Sequence, residues 1–260
     1  MQSDTSKIHS QYTFLADYYD EVMKDVDYPA WAEYIDDLIQ NHHPNAETIH
    51  ELSCGTGSIL IELDQFGVYQ LSGSDKSASM VEKASTKTDQ FLSDLHFFTD
   101  DYLEIRNNSK YDIVLSVFDS LNYILDIQDF RNLFRSVEQI IAPNGYFIFD
   151  FTTPEHSLAS IEWLDNEKIY SESGVRIIRR SSYDIKSCLH KNHISVFSLE
   201  NKAEVPIGEE IHIQRAYTLD QIREVLHDLN WKIEAAYGDF ELSEATSSSH
   251  RICMVCKPNS

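Results

Sequence analysis

Between residues 48 and 151 short apolar runs, at 49–52, 69–73, 95–98, 111–117 and 146–151, alternate with amphipathic stretches. Runs of that length bounded by turn residues read as buried strands, and the amphipathic stretches between them read as helices. The alternation therefore predicts a parallel sheet with crossover helices. The predicted helices cover 58–66, 77–87 and 127–141. The last sets Phe130, Leu133, Phe134, Val137 and Ile141 on one stripe, with Asp126 placed to cap its start and Pro143, Asn144 and Gly145 to end it.

An earlier helix opens at Asp27 with Pro29 in its first turn and Trp31, Ile35, Leu38 and Ile39 in register, and residues 41–45 break it. Beyond Pro154 the period changes to two, at 175–183, 193–199 and 210–217, which predicts an inserted antiparallel sheet. Helical spacing resumes at Thr218, where Gln221 completes a capping-box pattern ahead of Leu219, Ile222, Val225, Leu226 and Leu229. Strands at 231–237 and 251–257 close the chain, and no internal repeat is present. The reading is one domain, 1–260, made of an N-terminal helical segment (1–45), a core (46–160), the insertion (163–217) and the closing elements (218–260).

Composition narrows the function. The chain has 260 residues, 42% of them hydrophobic, with eight Gly and six Pro, so it is long enough to bury a core and is not a low-complexity sequence. A formal net charge of −22 repels phosphate polymers and anionic headgroups, so no nucleic-acid partner is expected despite the short basic strip from Arg176 to Arg180. No apolar run approaches the ~20 residues that span a bilayer and the first ten residues hold no apolar signal core, so no membrane partner and a cytoplasmic location are expected. Four cysteines imply no disulfide framework. Cys253 and Cys256 are spaced C-x-x-C but lie in a strand, where positions three apart face opposite ways, and no metal site is expected.

The stretch from Ile49 to Gly57, Ile-His-Glu-Leu-Ser-Cys-Gly-Thr-Gly, runs from a strand into a glycine turn and then a helix. Such a turn admits a ligand close to the backbone and offers it amides at a helix N-terminus. A phosphate loop would need Gly-Lys-Ser or Gly-Lys-Thr, which is absent, and a dinucleotide fingerprint would need a glycine near position 60, where Leu60 stands. The remaining class is an adenosyl sulfur compound.

Glu51-Leu-Ser-Cys-Gly-Thr-Gly57 resembles the first motif of the class I S-adenosylmethionine-dependent methyltransferases of small-molecule type. Residues 71–75, ending in Asp75 and followed by Lys76, Ser77 and Met80, resemble the end of that family's second strand. Residues 97–102, with Asp101 and Tyr102, resemble its third motif; residues 111–123 its fourth-strand region, including Val117; and residues 142–150 its helix-to-strand connection. The resemblance implies an α/β fold with a Rossmann-like seven-stranded sheet, mostly parallel, and S-adenosyl-L-methionine as cofactor. It implies cofactor contacts from Glu51, Ser53, Gly55, Gly57, Asp75, Lys76, Met80, Asp101, Tyr102 and Val117, with Asp75 on the ribose and Asp101 on the adenine. It also implies that the N-terminal segment folds over the cofactor as a lid, offering Tyr19 and Trp31 to the sulfonium. One departure stands out: Ser53 replaces the family's first glycine, and its hydroxymethyl group can hydrogen-bond a ligand or crowd it.

The expected activity is methyl transfer to a nitrogen or oxygen of a small metabolite. Asp119, His212 and Tyr217 are candidates for a base, and Tyr123, Phe151 and Arg215 for acceptor contacts. The segment 116–120, Ser-Val-Phe-Asp-Ser, lacks the Asn-Pro-Pro-Tyr type sequence used on planar amides and adenines, and no Pro-Cys pair suits attack on cytosine. The alternatives are a non-catalytic scaffold, which Ser53 and the acidic surface would suit, and a protein or RNA methyltransferase. A homodimer is compatible with the chain.

Overall fold

The computed structural model describes residues 8–87, 90–171, 174–200 and 203–259; the first seven residues of the N-terminal segment lie outside them. In chain order the elements are β1 (Ile8–His9), a 3-10 turn (Leu15–Asp17), α1 (Tyr19–Val22), α2 (Tyr28–His42), β2 (Thr48–Leu52), α3 (Ser58–Asp64), β3 (Gln70–Asp75), α4 (Ala78–Thr86), β4 (His96–Thr99) and β5 (Tyr111–Ser116). A second 3-10 turn (Ser120–Tyr123) precedes α5 (Ile127–Ile140), β6 (Ile141–Thr152) and α6 (Pro154–Leu164). Then follow β7 (Glu167–Tyr170), β8 (Val175–Asp184), β9 (Leu189–Glu200), β10 (Ala203–Arg215), α7 (Leu219–Asp228), β11 (Trp231–Gly238) and β12 (Arg251–Pro258).

The main sheet has seven strands in the order β11-β12-β6-β5-β2-β3-β4, and β12 alone runs against the others. Strand order reverses between β2 and β5, and at such a switch point the loops beyond the strand ends part and leave a crevice. Apolar clusters cover both faces. Phe130, Phe134 and Val137 of α5 and Ile222 and Leu226 of α7 pack on one, and Ile35, Leu38 and Ile39 of α2 and Leu60 and Leu63 of α3 on the other. Cys253 and Cys256 fall in opposite clusters, as strand alternation requires. Where a fourth crossover helix would sit, residues 102–110 form an irregular connection, and Ser72, Phe98 and Tyr111 line a surface groove there. Beneath it His50 is fully buried, stacked between Phe98 and Tyr111 and hydrogen-bonded to the Ser72 and Ser74 hydroxyls.

The second sheet is ordered β1-β10-β9-β8-β7. Its antiparallel strands match the period-two stretch, but β10 ends at Arg215 rather than 217, and β1 joins it in parallel through Ile8 and His9, from a segment with no strand pattern. The caps at Asp126, which accepts a backbone N–H, and at Thr218 and Gln221, which form a reciprocal capping box, are where the sequence put them, and Asp27 and Ser77 likewise accept backbone N–H bonds at the starts of α2 and α4. Two further elements differ. Helix α6, capped by Thr153, was not legible in the pattern after Pro154. The stretch from Pro143 to Gly145 does not separate α5 from β6; β6 begins at Ile141 and absorbs those residues in an irregular register against β5. Among the described residues no helix is long and apolar enough to cross a membrane.

Candidate active site

The glycine turn after β2 lies at the switch point. Ser53 (φ 57°), Gly55 (φ 55°) and Gly57 (φ 78°) all adopt the left-handed conformation, so the turn needs three residues that L side chains resist. A Cβ on Gly57 would lie 2.9 Å from the Phe97 ring, whereas one on Gly55 would meet only Tyr19, 3.9 Å away. Gly57 thus serves close packing of α3, while Gly55 is open to a ligand. Asp75, at the end of β3, braces the turn: its carboxylate accepts from the Gly55 N–H (3.0 Å) and the Ser77 N–H (2.7 Å). Burial holds the Asp75 carboxyl above its usual range, against the lowering effect of these two bonds.

A cavity of about 590 Å³ opens in front of this turn. Glu51, Ser53, Gly55, Asp75, Lys76, Met80, Asp101, Tyr102, Val117 and Tyr19 all line it. Glu51 is buried, its Oε2 has no hydrogen-bond partner, and burial together with the nearby Asp75 pushes its carboxyl well up. Asp101 pairs with Lys76 (2.8 Å) and accepts from the Leu103 N–H (3.0 Å).

A second cavity of about 800 Å³ lies between the main sheet and the inserted one. Trp31, Phe118, Phe240, Asp119, His156, Arg179, His190, Asn192, His212, Gln214 and Arg251 are among its walls. The His190 Nε2 is buried there without a partner. Trp31 therefore belongs to this cavity and not to the first, stacking on Phe118 (4.3 Å between centroids) and edge-on to Phe240 (4.4 Å). Four aromatic residues, Tyr12, Tyr19, Phe118 and Tyr123, line both cavities and form the wall between them.

Three of the residues singled out for chemistry sit elsewhere. Tyr217 is fully buried in the core, its hydroxyl donating to the Ile124 carbonyl, and Phe151 is fully buried in the same cluster. Arg215 lines neither cavity, because alternation along β10 gives the second cavity to His212 and Gln214. Asp119 is at the cavity, but both its oxygens are engaged, by Arg251 (2.8 Å) and by Gln214 (2.6 Å). Arg251 also pairs with the buried Asp150.

The sequence pattern did not reveal Tyr12, Glu210 or Arg251. The Glu210 carboxylate accepts four consecutive backbone N–H groups, from Tyr12 to Leu15, at 2.7–3.1 Å, and so holds the N-terminal segment over the wall between the cavities. Ser77 donates to the Tyr12 carbonyl (2.6 Å), Thr56 donates to Asp20 (2.6 Å), and Lys83 pairs with Asp17 (2.7 Å), completing the closure. Glu210 and Arg251 each open a stretch whose alternation predicts a strand but no partner, and Tyr12 lies where there is no periodic pattern, so only the long-range contacts give the three their roles.

Residues 49–145, which carry the turn, Asp75 and Asp101, match a family described as the methyltransferase domain. A protein of Geobacillus sp. (strain WCH70) named as a methyltransferase is 24% identical over 95% of this chain and 99% of its own length. Among solved structures, an S-adenosylmethionine-dependent methyltransferase from Clostridium acetobutylicum ATCC 824 superposes with a TM-score of 0.78 at 23% identity, covering 95% of this chain and 98% of that one. A sugar N-methyltransferase from Streptoalloteichus sp. ATCC 53650 does so with a TM-score of 0.73 at 15% identity, covering 98% of each. The two superpositions show a shared fold, and the matched segment, residues 49–145, is similar to the methyltransferase domain.

Proposed function

We propose that the enzyme transfers a methyl group from S-adenosylmethionine in the first cavity to a nitrogen or oxygen of a small polar metabolite in the second. The observation that carries this reading is the shared wall of Tyr12, Tyr19, Phe118 and Tyr123, which brings the two cavities together at one narrow place. When bound, the cofactor supplies an electrophilic methyl on a sulfonium.

The residues of the first cavity fit that group. Glu51 would take its ammonium, which gives the orphaned Oε2 a partner and restores a charge that burial opposes. Asp75 would take the ribose hydroxyls, Asp101 and Tyr102 the adenine, and Met80 and Val117 the apolar faces. Lys76, mostly exposed and paired with Asp101, would keep that carboxylate in place at the rim. Tyr19 offers an aromatic face to the sulfonium, an attraction of roughly 0.5–2 kcal/mol. The Ser53 backbone already has the glycine-like conformation, so its side chain adds a hydroxyl to the cavity without closing the turn.

The second cavity suits a small hydroxylated or aminated acceptor. The aromatic Trp31, Phe118 and Phe240 stand beside polar His156, His190, Asn192 and Gln214, and the unpartnered His190 Nε2 awaits a polar group. The likeness to a sugar N-methyltransferase supports trying an amine on a polyhydroxylated ring first. The chain's main work is alignment of two reactants, which in favourable cases supplies roughly 7–11 kcal/mol. The test is adenosylhomocysteine formation with amino sugars, simple amines and polyols, against a blank without acceptor. Turnover above the blank with at least one class supports the reading. A melt stabilised by S-adenosylmethionine, with no turnover on any of these or on the small-molecule ultrafiltrate of a cell extract, would replace it with the scaffold or macromolecular alternative.

A further inference from the structure

We propose that Tyr12, Tyr123 and His212 form a proton relay that draws the proton from the acceptor's attacking atom and stores it on a buried imidazole held by Glu210. The inference rests on the second cavity being the acceptor site. It adds an identified proton path to what would otherwise be catalysis by alignment alone.

The relay is continuous. The Tyr12 and Tyr123 hydroxyl oxygens are 2.6 Å apart, Tyr123 Oη is 2.9 Å from His212 Nδ1, and His212 Nε2 is 3.0 Å from Glu210 Oε2. It starts in the wall common to both cavities and ends at side chains only 1–2% exposed. The Tyr12 ring also packs edge-on against the His212 ring, 4.7 Å between centroids, which fixes both.

Its polarity follows from the Glu210 end. An ionised carboxylate only accepts hydrogen bonds. Burial raises the Glu210 carboxyl, but the bonds from His212 and from the backbone amides of Leu15, Tyr12 and Phe14 outweigh it and hold the group below its ordinary value, as a carboxylate. His212 must therefore present Nε2–H to Glu210, which leaves the Nδ1 lone pair to accept from the Tyr123 hydroxyl. The Tyr123 oxygen accepts in turn from Tyr12. At the wall between the cavities the Tyr12 oxygen is left with lone pairs and no proton of its own to offer, a group built to accept an N–H or O–H.

The step balances. The acceptor's attacking atom forms its bond to the methyl carbon as the S–C bond breaks, and its proton passes to Tyr12 Oη. The Tyr12 proton moves to Tyr123 Oη and the Tyr123 proton to His212 Nδ1, giving an imidazolium against the Glu210 carboxylate. Burial raises the hydroxyl pKa of both Tyr12 and Tyr123, so neither rests as tyrosinate and the transfers run together. Tyr12 is the catalytic residue of the set; Tyr123, His212 and Glu210 act through it.

Two measurements on the full chain test this. The first needs no acceptor: the tautomer of His212, read by nitrogen NMR with adenosylhomocysteine bound, is expected to carry its proton on Nε2, and a proton on Nδ1 overturns the relay. The second compares wild type with Tyr123→Phe and Tyr12→Phe on the acceptor fraction that supports turnover. Each variant is expected to lose about 10²-fold in kcat, the lower range for general acid–base catalysis. Each should also lose the solvent deuterium isotope effect shown by wild type, while adenosylhomocysteine affinity is kept. Wild-type kcat and isotope effect in Tyr123→Phe would overturn the proposal. Absence of turnover in wild type itself would instead remove the acceptor-site reading, and the relay's function with it.

Discussion

His50 offers a quantitative test of the fold around the site, since it lies on β2 next to Glu51 and one turn from the glycine loop. It is fully buried between two aromatic rings, and burial lowers its pKa from 6.5 to about 4, against a smaller raising effect from a hydrogen bond with Ser72. The native state therefore keeps the ring neutral over a range in which the unfolded chain binds a proton. Stability from this source is complete above pH 6.5 and is lost as pH falls toward 4, because there the unfolded state gains protons that the native state refuses. A difference of about 2.5 units at 1.36 kcal/mol per unit is about 3 kcal/mol, of which roughly 2–3 kcal/mol is lost between pH 7 and pH 4.5. For a chain of this size that is a fall of roughly 5–10 °C in melting temperature. His50→Gln retains hydrogen bonding to Ser72 and Ser74 but cannot titrate. Urea unfolding of both proteins at the two pH values isolates the residue, since the carboxylates and the other histidines contribute equally to each. If the variant loses as much stability as wild type over this interval, the assignment of His50 as a buried neutral imidazole is refuted.

Other consequences follow from the site. Asp75→Ala should weaken adenosylhomocysteine binding by about 1.5–3 kcal/mol, or roughly 10- to 150-fold, the scale of a lost bond to a charged group; equal affinity by calorimetry in a folded variant would contradict the ribose role. Ser53→Gly should stabilise the protein by about 0.5–1 kcal/mol, because relief of a left-handed L residue, about 1–2 kcal/mol, exceeds the entropy glycine brings to the unfolded chain. Its denaturation midpoint should rise, and a fall would show that the Ser53 side chain holds the turn. Arg251→Met leaves Asp150, 1% exposed, as an unpaired buried charge and should cost about 3–5 kcal/mol. Adding Asp150→Asn should recover much of that loss in urea unfolding, and additive losses would argue against the pair.

The sequence determined the parts that are local. Each strand–turn–helix unit of the main sheet is written in a contiguous stretch, so the alternation of apolar runs gives the sheet, and Gly55, Asp75 and Asp101 fall at its carboxyl edge by chain connectivity alone. The caps at Asp126 and Thr218 were legible for the same reason, since a cap is a relation between residues two or three apart. The second cavity is different in kind. His212 and Gln214 face the second cavity and Arg215 does not, a choice made by which face of β10 meets the main sheet, and alternation fixes only that the two sets differ. Trp31 reads equally as the first residue of a helix stripe or as a cofactor contact, and it is its stack on Phe118, 87 residues away and in a left-handed turn, that sends it to the second cavity. Tyr12 has no pattern at all around it. Its place comes from a buried carboxylate 198 residues on, which gathers four consecutive backbone amides. Local periodicity records which residues are buried together within one element, whereas a wall built from two segments about a hundred residues apart, 12–19 and 118–123, exists only once the tertiary structure has brought them together against the cost in chain entropy.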